Sequence, residues 1–156
     1  MPALRLYEFN SPIGRLGLVE SARGVARVLL PGDAFEGPVR TQQGGTGAVW
    51  QLEEYFAGQR REFTVPLDLG GLPPFRAQAL RALLQVPYGQ TVSYTELAGA
   101  AGNSKAVRAA GSACATNPLP LFIPCHRVLR ADGSLGGYRG GEQAKRFLLA
   151  LEGINV

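Results

Sequence analysis

Apolar residues in the first thirty positions fall into short alternating runs. LRLYEF (residues 4–9) and RLGLVES (15–21) read as strands, and SARG (21–24) turns the chain into a third run, VARVLL (25–30). Two or three antiparallel strands are expected. The period then changes: Val49, Leu52 and Phe56 recur at helical spacing between Gly47 and Ala57, and Gly58 supplies a stop. EFTVPLDL (62–69) returns to alternation, with Phe63, Val65, Leu67 and Leu69 on one face of a half-buried strand. The Gly/Pro-rich stretch Gly70–Pro74 marks a boundary between a first domain, residues 1–70, and a second, residues 71–156.

Beyond that boundary the pattern is helical. Phe75, Ala79, Leu83 and Val86 form one stripe, starting after Pro74 and ending at Pro87–Gly89. Ser93 and Glu96 stand three apart, a capping box for a short helix through about Ala101. Gly102 and Asn103 break it, and Ser104 is placed to cap the next helix, from Lys105 to about Ala115. Two short helices around a Gly-containing turn outline a helix-turn-helix. Asp132-Gly133 predicts a tight hairpin. Ala144, Phe147, Leu148 and Leu151 predict a last amphipathic helix, with Glu152 at its end and Gly153 as its cap.

Composition narrows the class. The chain has 156 residues, 46% of them hydrophobic and 18% charged, as in ordinary globular proteins. No apolar run approaches the roughly 20 residues of a membrane-spanning helix, and the N-terminus lacks the apolar core of a secretory signal. A cytoplasmic location, or a nuclear one in a eukaryote, is expected. Cys114 and Cys125 are too few for a disulfide framework, and with one histidine and no CxxC spacing they make no zinc site. Neither metal nor cofactor is expected.

Charge is unevenly distributed. Residues 1–70 carry a net charge of −1 and residues 71–156 a net charge of +5, within a total of +4. Seven bases lie between Lys105 and Arg146, against Asp132 and Glu142. A polyanionic partner accounts for this, as does a merely solvated basic face. The second helix of the pair, SKAVRAAGSACA, offers only Lys105 and Arg108 as long polar side chains, too few to read base edges in a major groove. It suits close docking in a minor groove with Arg108 as a wedge, or packing of its small residues inside the domain.

The chemistry concentrates in IPCHRV, which places the only histidine, His126, directly after Cys125. A free cysteine titrates near 8.5, so reactivity at neutral pH needs a nearby base or positive charge. Adjacent residues of an extended strand face opposite ways. His126 therefore reaches the thiol only if the backbone bends at Pro124, or through a water, and Glu152 is a candidate to orient the imidazole. A structural Cys-His pair is the plain alternative. Cys114, among small helical residues, reads as a buried packing thiol.

IPCHRV (Ile123–Val128) resembles the active-site signature of the O6-alkylguanine-DNA alkyltransferases, also called methylated-DNA–protein-cysteine methyltransferases. KAVRAAGSACATNPLPLFIPCHR resembles the helix and linker that lead into that signature, and QLEEYFAGQRREFTVPLDL resembles the end of the family's N-terminal domain. The resemblance implies a ribonuclease-H-like α/β domain, a small antiparallel sheet plus helix, followed by a mainly α winged-helix domain containing the helix-turn-helix. It implies single-turnover transfer of an alkyl group from O6-alkylguanine, and from O4-alkylthymine, in double-stranded DNA, by a monomer and without a cofactor.

By the same resemblance, Cys125 accepts the alkyl group, His126 deprotonates it through a water, and Glu152 holds His126. Tyr94 protonates N3 of the flipped guanine, Arg108 fills the vacated place in the duplex, and Asn117 ties the recognition helix to the active-site turn. Lys105, Ser93, Ser104, Arg127 and Arg139 are DNA contacts, the backbone N–H of Arg139 also approaching O6. Pro120 and Tyr138 wall the alkyl pocket, and the carbonyls of Cys125 and Val128 meet the exocyclic amine of the base. The zinc ligands that some relatives carry in the N-terminal domain are lacking, as is the additional cysteine-zinc domain of the adaptive-response regulators. Alkyltransferase-like proteins have tryptophan at the position of Cys125, so its presence points to transfer. Two rivals remain: a cysteine hydrolase with true turnover, and a lesion-binding module without chemistry.

Overall fold

The computed structural model describes residues 4–156. Contacts divide the chain into two compact units, one ending at Leu69 and the other beginning at Gly70.

In the first unit, β1 (Leu4–Ser11), β2 (Gly14–Ser21), β3 (Gly24–Leu29) and β4 (Val39–Gln42) form one sheet in the order β3-β2-β1-β4. The first three strands form an antiparallel meander as expected, but β4 runs parallel to β1, so the sheet is mixed. β4 is short and polar (VRTQ) and carries no alternating apolar signal. The interior β2 buries Leu16, Leu18 and Val19. Helix α1 (Gly47–Phe56) turns Val49, Leu52 and Tyr55 inward. Thr46 caps it, accepting from the Val49 amide and donating its hydroxyl to Glu20 on β2 at 2.7 Å, which ties the helix start to the sheet.

The strand expected over 62–69 does not form. Only a single parallel bridge joins Leu67 to Val25. Pro66 has no N–H to extend a ladder. Its carbonyl instead accepts from Val25 N at 3.0 Å, while Gln51 holds Thr64 through two side-chain bonds. Gly24 permits this approach, since a Cβ there would lie 2.3 Å from the Pro66 oxygen.

The second unit contains α2 (Pro74–Leu84), β5 (Val92–Ser93), α3 (Tyr94–Ala100), α4 (Val107–Ala115), a 3₁₀ turn at Cys125–Arg127, β6 (Val128–Leu129) and α5 (Glu142–Leu151). Ser93 and Glu96 form the capping box that starts α3. Ser104 does not cap α4, which starts two residues later than expected with Ala106 at its N-cap. Asn103 makes the turn instead, its side-chain oxygen accepting from Lys105 N at 3.0 Å.

Small residues bring the helices close: Ala79 of α2, Ala113 of α4 and Ala101 after α3 pack together with Phe75 against them. The packing expected of the small residues of α4 is present on one face, and the other face is open to solvent. Ala110 and Ala113 are buried, while Val107 and Arg108 are exposed. Arg130 and Ser134 close a tight turn around Asp132-Gly133, although no flanking strands pair there. Helix α5 departs from its expected stripe. Phe147 is 37% exposed, and Lys145 takes a fully buried place beside Ala144, Leu148 and Leu149.

β5 and β6 pair in parallel, Val92 with Val128 and Ser93 with Leu129. This short pair sets the start of α3 beside the chain that leaves the 3₁₀ turn. It is the element that positions the site.

Candidate active site

Residues 117–129 approach the 3₁₀ turn almost entirely buried. Asn117 organises the approach: its Oδ1 accepts from Leu119 N and its Nδ2 donates to Ile123 O, both at 2.9 Å. The loop between them is closed by Ile123 N donating to Leu119 O at 2.8 Å, and it forces Leu121 to φ 79°. A non-glycine residue held in that region is strained and needs surrounding structure to hold it. Pro124 then bends the chain (φ −80°, ψ 67°) into the turn that carries Cys125, His126 and Arg127. The bend expected at Pro124 is present.

His126 is fully buried, and its Nε2 lies 2.7 Å from Glu152 Oε2. Glu152 sits just past the last turn of α5 and also receives Arg127, Nε to Oε1 at 2.8 Å and Nη2 to Oε2 at 3.1 Å. Gly89 N donates to the same Oε1, and Arg127 Nη1 donates to Val86 O. An ionised carboxylate only accepts, so the imidazole proton resides on Nε2 and Nδ1 is the basic nitrogen. Burial lowers the pKa of His126 from its ordinary 6.5, partly offset by Glu152, which keeps the ring neutral and able to take a proton.

The assignment of Arg127 to DNA is corrected by this geometry. The residue is 6% exposed and its guanidinium is committed to Glu152, Val86 and the face of Tyr88. It neutralises the carboxylate that orients the histidine.

Cys125 opens onto a cavity of about 330 Å³, at the small end of pockets that hold organic ligands. Tyr94 and Tyr138 line it, with Gly111, Ala115 and Gly137 as small residues, both thiols, and Arg139. Burial pushes the Cys125 thiol up; Asn117, Arg139 and Lys145 pull it back. Cys114 is pushed up to about 12, chiefly by burial, so it stays a thiol. It is half-buried in the cavity wall and not a core packing residue as expected. Burial also raises Tyr94, whose hydroxyl lies 3.5 Å from Gly137 O and keeps its proton.

Pro120 and Val128 are buried but do not line this cavity, unlike Tyr138. Val128 is drawn into the β5–β6 pair, and its carbonyl accepts Lys145 Nζ at 2.6 Å. Lys105, Arg108, Ser104 and Arg139 are exposed, and Ser93 is half-buried in its capping box. The Arg139 side chain reaches back to donate to Asn117 O at 3.1 Å.

Two groups at the site escape sequence reasoning. Lys145 donates to Val128 O and Gly137 O and is held down to about 8 by burial. A lysine on an amphipathic helix reads as solvent-facing, and nothing local signals otherwise. Gly89 presents its amide to Glu152 from a loop 63 residues away in sequence, at φ 80°. Among the described residues no group of three or more His, Cys, Asp or Glu side chains is placed to hold a metal, and no helix is long and apolar enough to cross a membrane.

Comparison with known proteins agrees with this arrangement. Residues 5–69 match the ribonuclease-like domain of 6-O-methylguanine DNA methyltransferase, and residues 74–154 match that protein's DNA binding domain. The constitutive methylated-DNA–protein-cysteine methyltransferase of Bacillus subtilis is 38% identical over 155 residues, covering 94% of this chain and 93% of that protein. The methylated-DNA–protein-cysteine methyltransferase of Mycobacterium tuberculosis is 43% identical over 148 residues, covering 92% and 88%. The crystal structure of Mycobacterium tuberculosis OGT in complex with DNA superposes with a TM-score of 0.90 at 41% identity, covering 95% of this chain and 92% of that one. With both domain families matched in order and a buried Cys-His-Glu site between α4 and α5, the chain belongs to the 6-O-methylguanine DNA methyltransferase family.

Proposed function

We propose that this protein repairs alkylated DNA by moving the alkyl group of O6-alkylguanine onto Cys125, irreversibly and once per molecule. The observation that carries this reading is the buried His126–Glu152–Arg127 network on the same turn as a thiol that opens onto a small cavity. The thiol proton passes to Nδ1 of His126 through a bridging water. Glu152 stabilises the resulting imidazolium, and Arg127 holds that carboxylate in place through two hydrogen bonds. The soft thiolate displaces the guanine oxygen from the alkyl carbon in line. Tyr94, protonated in the cavity wall, delivers a proton to the ring as the base departs.

The product is a thioether. Water does not open it as it would a thioester, so no step regenerates the thiol. Reaching the lesion requires a nucleotide out of the stack, at a cost of about a few kcal/mol. Exposed Arg108 near the start of α4 fills the gap and offsets part of that cost. Lys105, Ser93, Ser104 and Arg139 contact the DNA backbone, and the protein acts as a monomer. The same chemistry extends to O4-alkylthymine.

Intact-mass spectrometry after mixing with a duplex containing O6-methylguanine tests the reading. One methyl group on Cys125 is expected. An unchanged mass with the lesion consumed would point to hydrolysis, and tight binding with the lesion intact would point to recognition without transfer.

A further inference from the structure

Val86, Tyr88 and Gly89, in the loop that follows α2, all touch the relay behind Cys125. Val86 O accepts Arg127 Nη1 at 2.7 Å, and Gly89 N donates to Glu152 Oε1 at 3.1 Å. Between them, Tyr88 presents its ring to the Arg127 guanidinium, whose Cζ lies 5.8 Å from the ring centroid, within the ~6 Å over which an aromatic face attracts a cation. The turn is shaped for this approach. Gln90 N donates to Pro87 O at 3.1 Å, Gly89 takes φ 80°, and a Cβ on Gly89 would stand 3.4 Å from Glu152 O. The Tyr88 hydroxyl reaches further and donates to Leu151 O at 3.1 Å, a carbonyl left open at the end of α5, directly before Glu152. Tyr88 thus holds both sides of one ion pair, Arg127 by the ring and the backbone beside Glu152 by the hydroxyl. No step of the transfer uses Tyr88 directly.

We infer that Tyr88 is a positioning residue for alkyl transfer: its ring holds the Arg127 guanidinium against Glu152 and so sets how strongly that carboxylate acts on His126. The inference rests on the reading of Cys125 as alkyl acceptor served by His126. Burial is the largest influence on His126 and disfavours its charge. Of the charged groups around it, Glu152 at the end of α5 favours the imidazolium, while Arg127 on the same turn and Lys145 of α5 oppose it. With Arg127 no longer held in place, the carboxylate acts on the imidazole undivided, and His126 takes up a proton at higher pH. A ring already protonated cannot receive the thiol proton, so the acid limb of the transfer rate moves up with it.

His126 is the only histidine of the chain, so its imidazole resonances in an NMR pH titration are unambiguous. Three changes at position 88 are compared with the wild type. Tyr88→Phe keeps the ring and loses the hydroxyl, and Tyr88→Leu loses both. Pentafluorophenylalanine at the same position keeps the shape of the ring but reverses the polarity of its face, which serves should the leucine variant fail to fold. Single-turnover transfer from free O6-benzylguanine, which needs no DNA, is followed over the same pH range.

The His126 titration is expected to rise by about one unit in the leucine and pentafluoro variants, with the acid limb of transfer following it, and to stay at its wild-type place in Tyr88→Phe. A titration that the leucine and pentafluoro variants leave in place overturns the inference, even if their rates fall equally at every pH, since Tyr88 then serves stability alone. A titration that Tyr88→Phe moves as far as they do also overturns it, because the hydroxyl and not the ring would be responsible. A wild-type protein that receives no benzyl group on Cys125 loses the underlying reading instead, and the NMR titration judges Tyr88 independently of transfer.

Discussion

Glu152 lies at the C-terminal end of α5, where the helix dipole disfavours a carboxylate. It is buried there because three donors converge on it: the His126 ring, the Arg127 fork and the Gly89 amide. A buried ion pair broken on one side leaves an uncompensated charge, which costs about 3–5 kcal/mol. Glu152→Gln is therefore expected to lower stability by about that amount in urea unfolding and to slow transfer sharply. Adding Arg127→Gln removes the orphaned charge, so the double variant should recover part of the stability without recovering transfer. Simple additivity of the two losses would show that the residues do not act as a pair.

His126 makes a pH prediction. Its folded pKa lies below the ordinary 6.5, so near and below that pH the unfolded chain binds a proton that the folded chain resists. Its contribution to stability is complete above about 6.5 and is lost as pH falls through the lowered folded value. Transfer, which needs the neutral ring, should decline in the same direction. Unfolding midpoints and transfer rates at pH 7.5 and 5.5 check this; greater stability at the lower pH would contradict the buried neutral histidine.

At the scale of elements, α4 divides its labour between a small-residue face packed inward and an exposed Arg108 near its start. If Arg108 fills the duplex, Arg108→Ala should slow repair of duplex lesions far more than reaction with free O6-benzylguanine, which needs no extrusion. Equal losses on both substrates would remove the wedge role. Local signals carried well at this scale. The Ser93–Glu96 box, the start of α2 at Pro74 and the glycine after α5 are each decided by neighbouring backbone, and each appears in the fold. Elements settled by distant partners did not carry. Alternation over 62–69 looked like a strand because apolar period says nothing about the missing N–H of Pro66, and β4 joined the sheet with four residues of little pattern. Ser104 looked like a cap by type, while Asn103, one position earlier, had the geometry.

At the scale of the whole molecule, charge separates along the chain, with the basic excess after residue 70. Counting bases could locate that excess but could not sort its members. Arg127 and Lys145 are buried and bond to the site, whereas Lys105 and Arg108 face solvent. The IPCHRV signature made Cys125 and His126 legible at once. Glu152, named at the end of the last helix as the residue to orient the imidazole, does so at 2.7 Å, whereas the Gly89 amide, on the far side of a loop, and the turn of Arg127 toward the same carboxylate were not legible. Sequence spacing alone does not predict such convergence.

The molecule's behaviour as a single-use reagent is tested most directly by titration. A fixed amount of protein is mixed with increasing duplex bearing O6-methylguanine, and the lesions removed are counted against the protein present. The account predicts a plateau at one lesion per molecule, with every methyl group recovered on Cys125 and none removed by Cys125→Ala. Lesion removal that continues past the amount of protein, or methyl groups found on Cys114, would contradict it.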